Sequence, residues 1–188
     1  MVKKAVQQGR SKRRRDAYSF RYVECLSDAR TKLADFFTIP AMDLRKAFPR
    51  SMRAKLAGYV HLARMIDKCR AVLAGTEGEY IYPCPMDERL MEFAGITSDQ
   101  FTAAVKANPT DEGITTWFRR VARPHSPAEL EDWNLKLLER GPSSPESADK
   151  FNKCRDAVDP SRTDITAWSD LQDLEEGRTV PQRSLGKH

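Results

Sequence analysis

Helix start signals recur at short intervals along this chain, and they constrain its fold more than any other feature. Thr97 and Gln100 have the spacing of a capping box, in which each side chain accepts a hydrogen bond from the backbone N–H of the other residue. Ser126, Pro127 and Glu129 combine an N-cap, a proline at the first helical position and a second capping box. Because such starts follow one another closely, the sequence predicts a single all-α domain.

We expect six or seven helices within residues 43–177, since apolar residues recur there at helical spacing. The first helix is expected to be long, with an N-cap at Ser51 and a C-terminal stop at Gly75. The last is expected to begin at a cap from Asp164 and to end at Gly177. The expected helices begin near residues 52, 85, 98, 111, 127, 145 and 164.

Residues 76–85 interrupt the helical pattern. They contain Gly78, Pro83 and Pro85, which disfavour a continuous helix. We therefore expect an extended crossing or a short edge strand here, with a new helix that starts at Pro85. Strand content elsewhere is expected to be very low.

The net charge of +5 belongs entirely to the first 41 residues. These hold ten Lys and Arg against four Asp and Glu, whereas residues 42–188 hold 22 against 23. A basic block of this kind could neutralise several phosphates, so nucleic acid is a candidate partner of the arm. A disordered, solvated arm without a partner is the alternative. The centre of the arm is the run Lys12, Arg13, Arg14 and Arg15.

A third interpretation of the arm takes Met42 as the true start codon, because Met42 directly precedes the first recognisable motif of the chain. Residues 1–41 would then not be translated, and nucleic-acid binding through them would be excluded. In either case we expect one helical domain at residues 42–177, followed by a frayed tail at residues 178–188.

Composition places the chain among ordinary globular proteins, with 40% hydrophobic and 31% charged residues. No apolar run approaches the roughly 18 residues that a membrane helix needs, and the N-terminal residues lack the apolar centre of a secretory signal. Cys25, Cys69, Cys84 and Cys154 are widely separated and are expected to be reduced. We therefore expect a cytoplasmic protein without membrane contact.

The sequence contains no recognisable motif for a metal or a cofactor. The three histidines share no ligand spacing with one another or with the cysteines, and the acidic residues are scattered. No glycine-rich phosphate loop with its lysine is present. We expect neither a metal nor a cofactor.

The predicted first helix has two contrasting faces. Tyr59, Leu62, Ile66, Cys69 and Leu73 share an apolar stripe about 80° wide, which is expected to belong to the core.

The opposite face gathers His61, Arg64 and Lys68 at positions i, i+3 and i+7, with Asp67 beside them. His61 titrates near neutrality and could act as an acid or a base. Arg64 and Lys68 lie a turn apart and could hold a phosphate or a carboxylate together. The structural alternatives are a surface or hydrogen-bonded structural histidine and a network of ion pairs along the helix.

The crossing that follows supplies the remaining candidates for a ligand site. Tyr80 or Asp87 could orient His61, as could Asp67 on the helix itself. Cys84 lies between two prolines near an expected helix N-terminus, where a thiol can become nucleophilic. A small hydrophobe buried at a tight turn explains the same cysteine.

Three segments, DLRKAFPRS, GYVHLARMIDKCRA and GEYIYPCPMD, carry a recognisable pattern. Through them residues 43 to about 177 resemble a bacterial family known only as a domain of unknown function. The family pattern has glycine and proline where this chain has Ala57 and Ala63, so a kink after His61 is expected to be relaxed. The resemblance implies a fold and no activity.

Three functions are compatible with these features. The leading one is a non-catalytic cytoplasmic module that binds a small anionic ligand or a protein partner where the helix around His61 meets residues 80–87. A small enzyme that acts on an anionic metabolite through His61, Arg64 and Lys68 is the alternative, and nucleic-acid binding by the arm is the third. Convergence of the titratable residues in a concave pocket would favour an enzyme, and an exposed apolar patch would favour a binding module.

Overall fold

The computed structural model describes residues 42–180 and 182, so the expectations for residues 1–41, including the Lys12 to Arg15 run, and for most of the tail lie outside it. Within the described residues the chain forms seven helices and no β-sheet, which confirms the all-α prediction. The helices are α1 (Leu62–Ala74), α2 (Pro85–Ala94), α3 (Ser98–Ala107), α4 (Asp111–Val121), α5 (Pro127–Leu138), α6 (Pro145–Val158) and α7 (Trp168–Glu175).

The helix starts at Thr97 and Ser126 and the helix stop at Gly75 form as predicted. The Thr97 side chain accepts from the backbone N–H of Gln100 at 3.2 Å, and the Gln100 side chain accepts from the backbone N–H of Thr97 at 2.9 Å. Ser126 and Glu129 make the equivalent pair at the start of α5. Gly75 ends α1 with a left-handed φ of 67°, a conformation that costs glycine little.

The prediction of a long first helix is wrong, because α1 begins at Leu62 and not near residue 52. The backbone N–H of His61 donates to the carbonyl of Met52 at 2.7 Å, whereas a helix would hold these residues about 14 Å apart. Ser51 caps no helix and instead donates to Asp173 at 2.9 Å. Ala63 falls in the first turn of α1, where a proline would start the helix without kinking it.

The loop at residues 51–61 is held by a side chain from α5. Asn134 accepts a hydrogen bond from the backbone N–H of Val60 at 3.0 Å and donates to the carbonyl of Gly58 at 2.8 Å. Its amide thus satisfies one donor and one acceptor of a backbone that forms no regular ladder. This support lets Ala57 and His61 adopt left-handed φ values of 53° and 66°.

The predicted start of the last helix is also wrong. The helix begins at Trp168 after Ala167, which provides no side-chain cap. Asp164 accepts instead from Arg162 at 2.8 Å. The segment before this helix packs closely against Gly141. A Cβ at position 141 would lie 2.6 Å from the carbonyl oxygen of Thr166.

The main core lies among α1, α2, α3 and α4, and a smaller cluster joins α6 to α7. Leu73 was expected to belong to the core, but it is exposed. The expected fraying from residue 178 does not hold for its first residues, since Val180 packs in the smaller cluster and Arg178 pairs with Asp173. Among the described residues, none of the helices has the length and apolar character that crossing a lipid bilayer demands.

Candidate ligand-binding site

The face of α1 opposite the apolar stripe is buried, contrary to the exposure that its polar residues suggest. Every residue from Leu62 to Cys69 is buried, and His61 precedes the helix as its N-cap with 0% of its surface exposed. The segment before residue 51 and the crossing near Ile81 both bond to this face and cover it. Helical periodicity therefore places these polar residues on the correct face, but it does not show that this face is buried.

Asp87 is the centre of a buried network that joins α1 to the start of α2. Its Oδ1 lies 2.8 Å from Nε2 of His61, and its Oδ2 accepts from Lys68 at 2.6 Å and from the backbone N–H of Cys84 at 2.8 Å. The Lys68 ammonium also donates to Sγ of Cys84 at 3.1 Å and to the carbonyl of Ile81 at 3.2 Å. The three N–H groups of the ammonium thus have three acceptors.

The network influences the protonation of two of its buried groups, Asp87 and His61. Burial raises the pKa of Asp87, but the hydrogen bond from His61 and the charge of Lys68 outweigh it and lower the pKa to about 2. Burial lowers the pKa of His61 by more than its bond to Asp87 raises it. Since a carboxylate only accepts, the proton of neutral His61 lies on Nε2, and Nδ1 is a buried acceptor without a hydrogen-bond partner among the described residues.

A second network surrounds Glu176, just after α7. Arg64 donates to its carboxylate through two nitrogens at 3.0 and 2.5 Å, and the Tyr80 hydroxyl donates at 2.9 Å. The Arg64 guanidinium lies 5.4 Å from the centroid of the Tyr80 ring. Burial raises the pKa of Tyr80 to about 12, and the bond to Glu176 acts in the same direction. Arg178 adds a further bond to Glu176.

Asp67 bonds directly to neither Asp87 nor Glu176, although it shares the helix face with Lys68, and its partner Arg50 accepts from Arg64 through the backbone carbonyl at 3.1 Å. Asp67 accepts from the side chain of Arg50 at 2.8 Å and from the Arg50 backbone N–H at 2.9 Å. Arg50 also binds Asp111 at 2.5 Å, and Arg70 binds the same aspartate at 2.7 Å. Arg50 therefore ties the segment before residue 51 to α1 through Asp67 and to α4 through Asp111.

A groove of about 950 Å³ is lined by residues of the Asp87 and Glu176 networks. Arg64, Lys68 and Glu176 are nearly inaccessible and form its floor. Three apolar side chains line it with much of their surface in solvent. These are Phe48, Ile81 and Val158, which are 53%, 71% and 48% exposed.

The geometry brings together a set of atoms that could hold a metal ion. Donor atoms of His61, Cys84 and Asp87 lie within 4.8 Å of one another. The Lys68 ammonium already bonds to both Asp87 and Cys84 and supplies the positive charge that the Asp87 carboxylate requires. The donors therefore fit a lysine in this structure better than a divalent cation.

The structure brings together most of the polar residues that the sequence grouped, whereas nothing in the sequence indicated the apolar side chains beside them. His61, Lys68, Cys84 and Asp87 converge, and Arg64 meets Tyr80. Phe48 and Ile81 lie within the recognisable motifs, yet nothing local marks them as exposed. Val158 and Glu176 lie far along the chain, and no spacing pattern in the sequence links them to the residues that they join.

A comparison with curated proteins found no match to this chain. A comparison with protein families matches residues 46–178, which cover most of the helical domain described above. The match includes both networks and nearly all of the groove. The chain belongs to the family described as Domain of unknown function (DUF5069).

Proposed function

We propose that this domain is a non-catalytic binding module whose groove takes a small amphipathic ligand. The observation that carries the proposal is the exposed apolar rim formed by Phe48, Ile81 and Val158 around a polar floor. Small-molecule sites commonly combine apolar walls with a few fixed polar groups. The three rim residues come from distant parts of the chain, so the fold assembles the patch.

The buried position of His61 argues against the enzymatic alternative. Its side chain has no exposed surface, and Asp87 is equally inaccessible. A general acid or base must come within hydrogen-bond reach of the group that it protonates or deprotonates. His61 and Asp87 instead hold Lys68 and the start of α2 in place, which gives the groove a preformed floor.

The two cations of the floor give little support to an anionic ligand. Lys68 is bonded to Asp87, and Arg64 is bonded to Glu176. An acidic ligand would have to displace a buried carboxylate from its partner. We therefore propose a ligand whose polar end forms hydrogen bonds without carrying a strong negative charge.

We also place the protein in the cytoplasm as part of this proposal. Its support is that Cys69, Cys84 and Cys154 are free thiols, the usual state in reducing compartments.

Two fluorescent probes with the same ring skeleton test the proposal. N-phenyl-1-naphthylamine is neutral, and its sulfonated derivative carries one negative charge. We expect saturable binding of the neutral probe to the full chain, weakened about tenfold in both Phe48→Ser and Ile81→Ser, because each substitution removes apolar contact area.

Leu135→Ser is the matched control, since Leu135 is 53% exposed on α5 and does not line the groove. Its affinity for the neutral probe should equal that of the unmodified chain. Equal weakening in all three variants would contradict the groove as the binding site. Tighter binding of the sulfonated probe, abolished by Arg64→Gln, would instead support an anionic ligand.

A further inference from the structure

A second concavity, which we call the basic pocket, lies between α2 and α5 and shares no lining residue with the groove. It has a volume of about 330 Å³. Arg89 on α2 and Lys136 on α5 line it, together with Arg123 just after α4 and Arg140 just after α5. Glu92 is the single carboxylate residue of the lining. Four cations therefore surround a space suited to a small ligand.

The arginines of the basic pocket have no carboxylate partners among the described residues. Arg89, Arg123 and Arg140 form no side-chain hydrogen bond or ion pair there, and Lys136 makes only an exposed pair with Asp132. Most other arginines of the described chain do bind a carboxylate. These are Arg45, Arg50, Arg53, Arg64, Arg70, Arg155, Arg162 and Arg178.

This concentration of unpaired cations is not a consequence of overall composition. Residues 42–188 hold 22 Lys and Arg against 23 Asp and Glu, so the domain has sufficient acidic residues to pair its cations. Unpaired cations that meet in one concavity repel one another and raise the local positive potential. Such a potential attracts a compact anion.

The wall behind the cations is rigid. The rings of Phe93 and Trp133 stack with centroids 4.5 Å apart and an angle of 6°. The backbone N–H of Arg123 donates to the carbonyl of Ala94 at 2.8 Å, which fixes the turn after α4 against the end of α2. The carbonyl of Arg140 accepts from the backbone N–H of Trp168 at 2.9 Å. The cationic side chains thus extend from anchored backbone, which lowers the entropy lost on binding.

We propose that the basic pocket binds the diphosphate group of a small molecule. Guanidinium groups donate two parallel hydrogen bonds to phosphate oxygens, and three of the four cations are arginines. A diphosphate presents several charged oxygens within a short distance, as convergent donors require. The four cations outnumber the single carboxylate of Glu92, and the negative charges of two linked phosphates would offset this excess of positive charge.

The shape and surroundings of the pocket favour a compact ligand over a nucleic-acid strand. A strand needs cations along an extended track, so that successive phosphates are neutralised. Exposed acidic residues instead lie among the cations, including Glu88 on α2, Asp132 on α5 and Glu139 just after α5. These carboxylates would repel a phosphate backbone that ran along either helix.

Titration of the full chain with inorganic pyrophosphate tests this proposal. Calorimetry should show saturable binding at physiological salt, and the indole N–H resonance of Trp133, assigned with Trp133→Phe, should shift as the site fills. We expect Arg123→Gln and Arg140→Gln each to weaken binding about tenfold, because each removes a charge-assisted contact.

Arg119→Gln is the matched control, since Arg119 is an exposed arginine of α4 that does not line the pocket. It should change the affinity by less than about twofold, as expected for a screened surface charge. Absence of saturable pyrophosphate binding, or an equal loss in Arg119→Gln, would overturn the proposal. So would tighter binding of a single-stranded oligonucleotide that shifts Trp133 in the same way.

Discussion

The cations of the groove floor and those of the basic pocket have opposite surroundings. Lys68 and Arg64 are buried and bonded to Asp87 and Glu176, whereas the pocket arginines lack carboxylate partners within the described chain. A buried cation beside its carboxylate serves the fold, because removal of either partner leaves the other unpaired. A clustered cation without a partner contributes little to the fold and remains available to a ligand.

The contrast between the groove floor and the basic pocket also shows that residues in a recognisable motif need not belong to a ligand site. The recognisable segments supply His61, Lys68 and Asp87. These residues bond to one another in the interior, so their role in the fold explains their presence. Arg123 and Arg140 lie outside those segments. Stability and binding measurements can therefore separate the two regions.

The largest expected effect is on stability, from Asp87→Asn. This substitution removes the charge that Lys68 requires and turns an acceptor of the buried network into a donor. We expect the free energy of unfolding to fall by about 3 to 5 kcal/mol, as in other buried pairs that lose one partner. Urea denaturation followed by circular dichroism measures this change, and a loss below about 1 kcal/mol would remove the structural role that we assign to the network.

An intermediate effect is expected from pH, because the folded chain resists protonation of His61. The pKa of His61 is 6.5 in the unfolded chain and lower in the folded one. Its contribution to stability is therefore complete above pH 6.5 and is lost as the pH falls below that value. The free energy of unfolding should drop by up to about 1.4 kcal/mol per pH unit between pH 6.5 and the folded pKa.

His61→Gln tests the assignment of this pH dependence, since a glutamine amide can donate to Asp87 but does not titrate. The variant should be less stable at pH 7 and should have a smaller slope between pH 6.5 and 5. An unchanged slope would assign the pH dependence to another group.

The smallest expected effect on stability is in the basic pocket. Arg123→Gln and Arg140→Gln should each change the free energy of unfolding by less than about 0.5 kcal/mol, because no ion pair is lost. Thermal denaturation without pyrophosphate measures this directly. A loss similar to that of Asp87→Asn would mean that these arginines also serve the fold, and the contrast between the two regions would disappear.

Signals that act within a few residues were predictable from the sequence. The caps at Thr97 and Ser126 and the stop at Gly75 depend on atoms no more than four residues away, so the helix boundaries there agree with the prediction. Asp164 has the residue type of a cap but binds Arg162 instead. A cap is predicted well where no neighbouring residue competes for it.

Features that depend on distant partners were not predictable. The loop before α1 takes its shape from Asn134, which follows Gly58 by 76 residues. Arg64 meets Glu176, 112 residues later in the chain. The apolar stripe on α1 correctly placed Leu62 and Ile66 in the core, but the same pattern could not show that the opposite face would also be covered.

The amide of Asn134 has a practical consequence for dividing this chain into fragments. Residues 51–61 form no helix or strand, and irregular backbone is the usual site of protease cleavage and of fragment boundaries. Here the irregular backbone is bonded to α5 and contributes Met52 and Val60 to a buried cluster. A truncation at this stretch would therefore cut through packed structure.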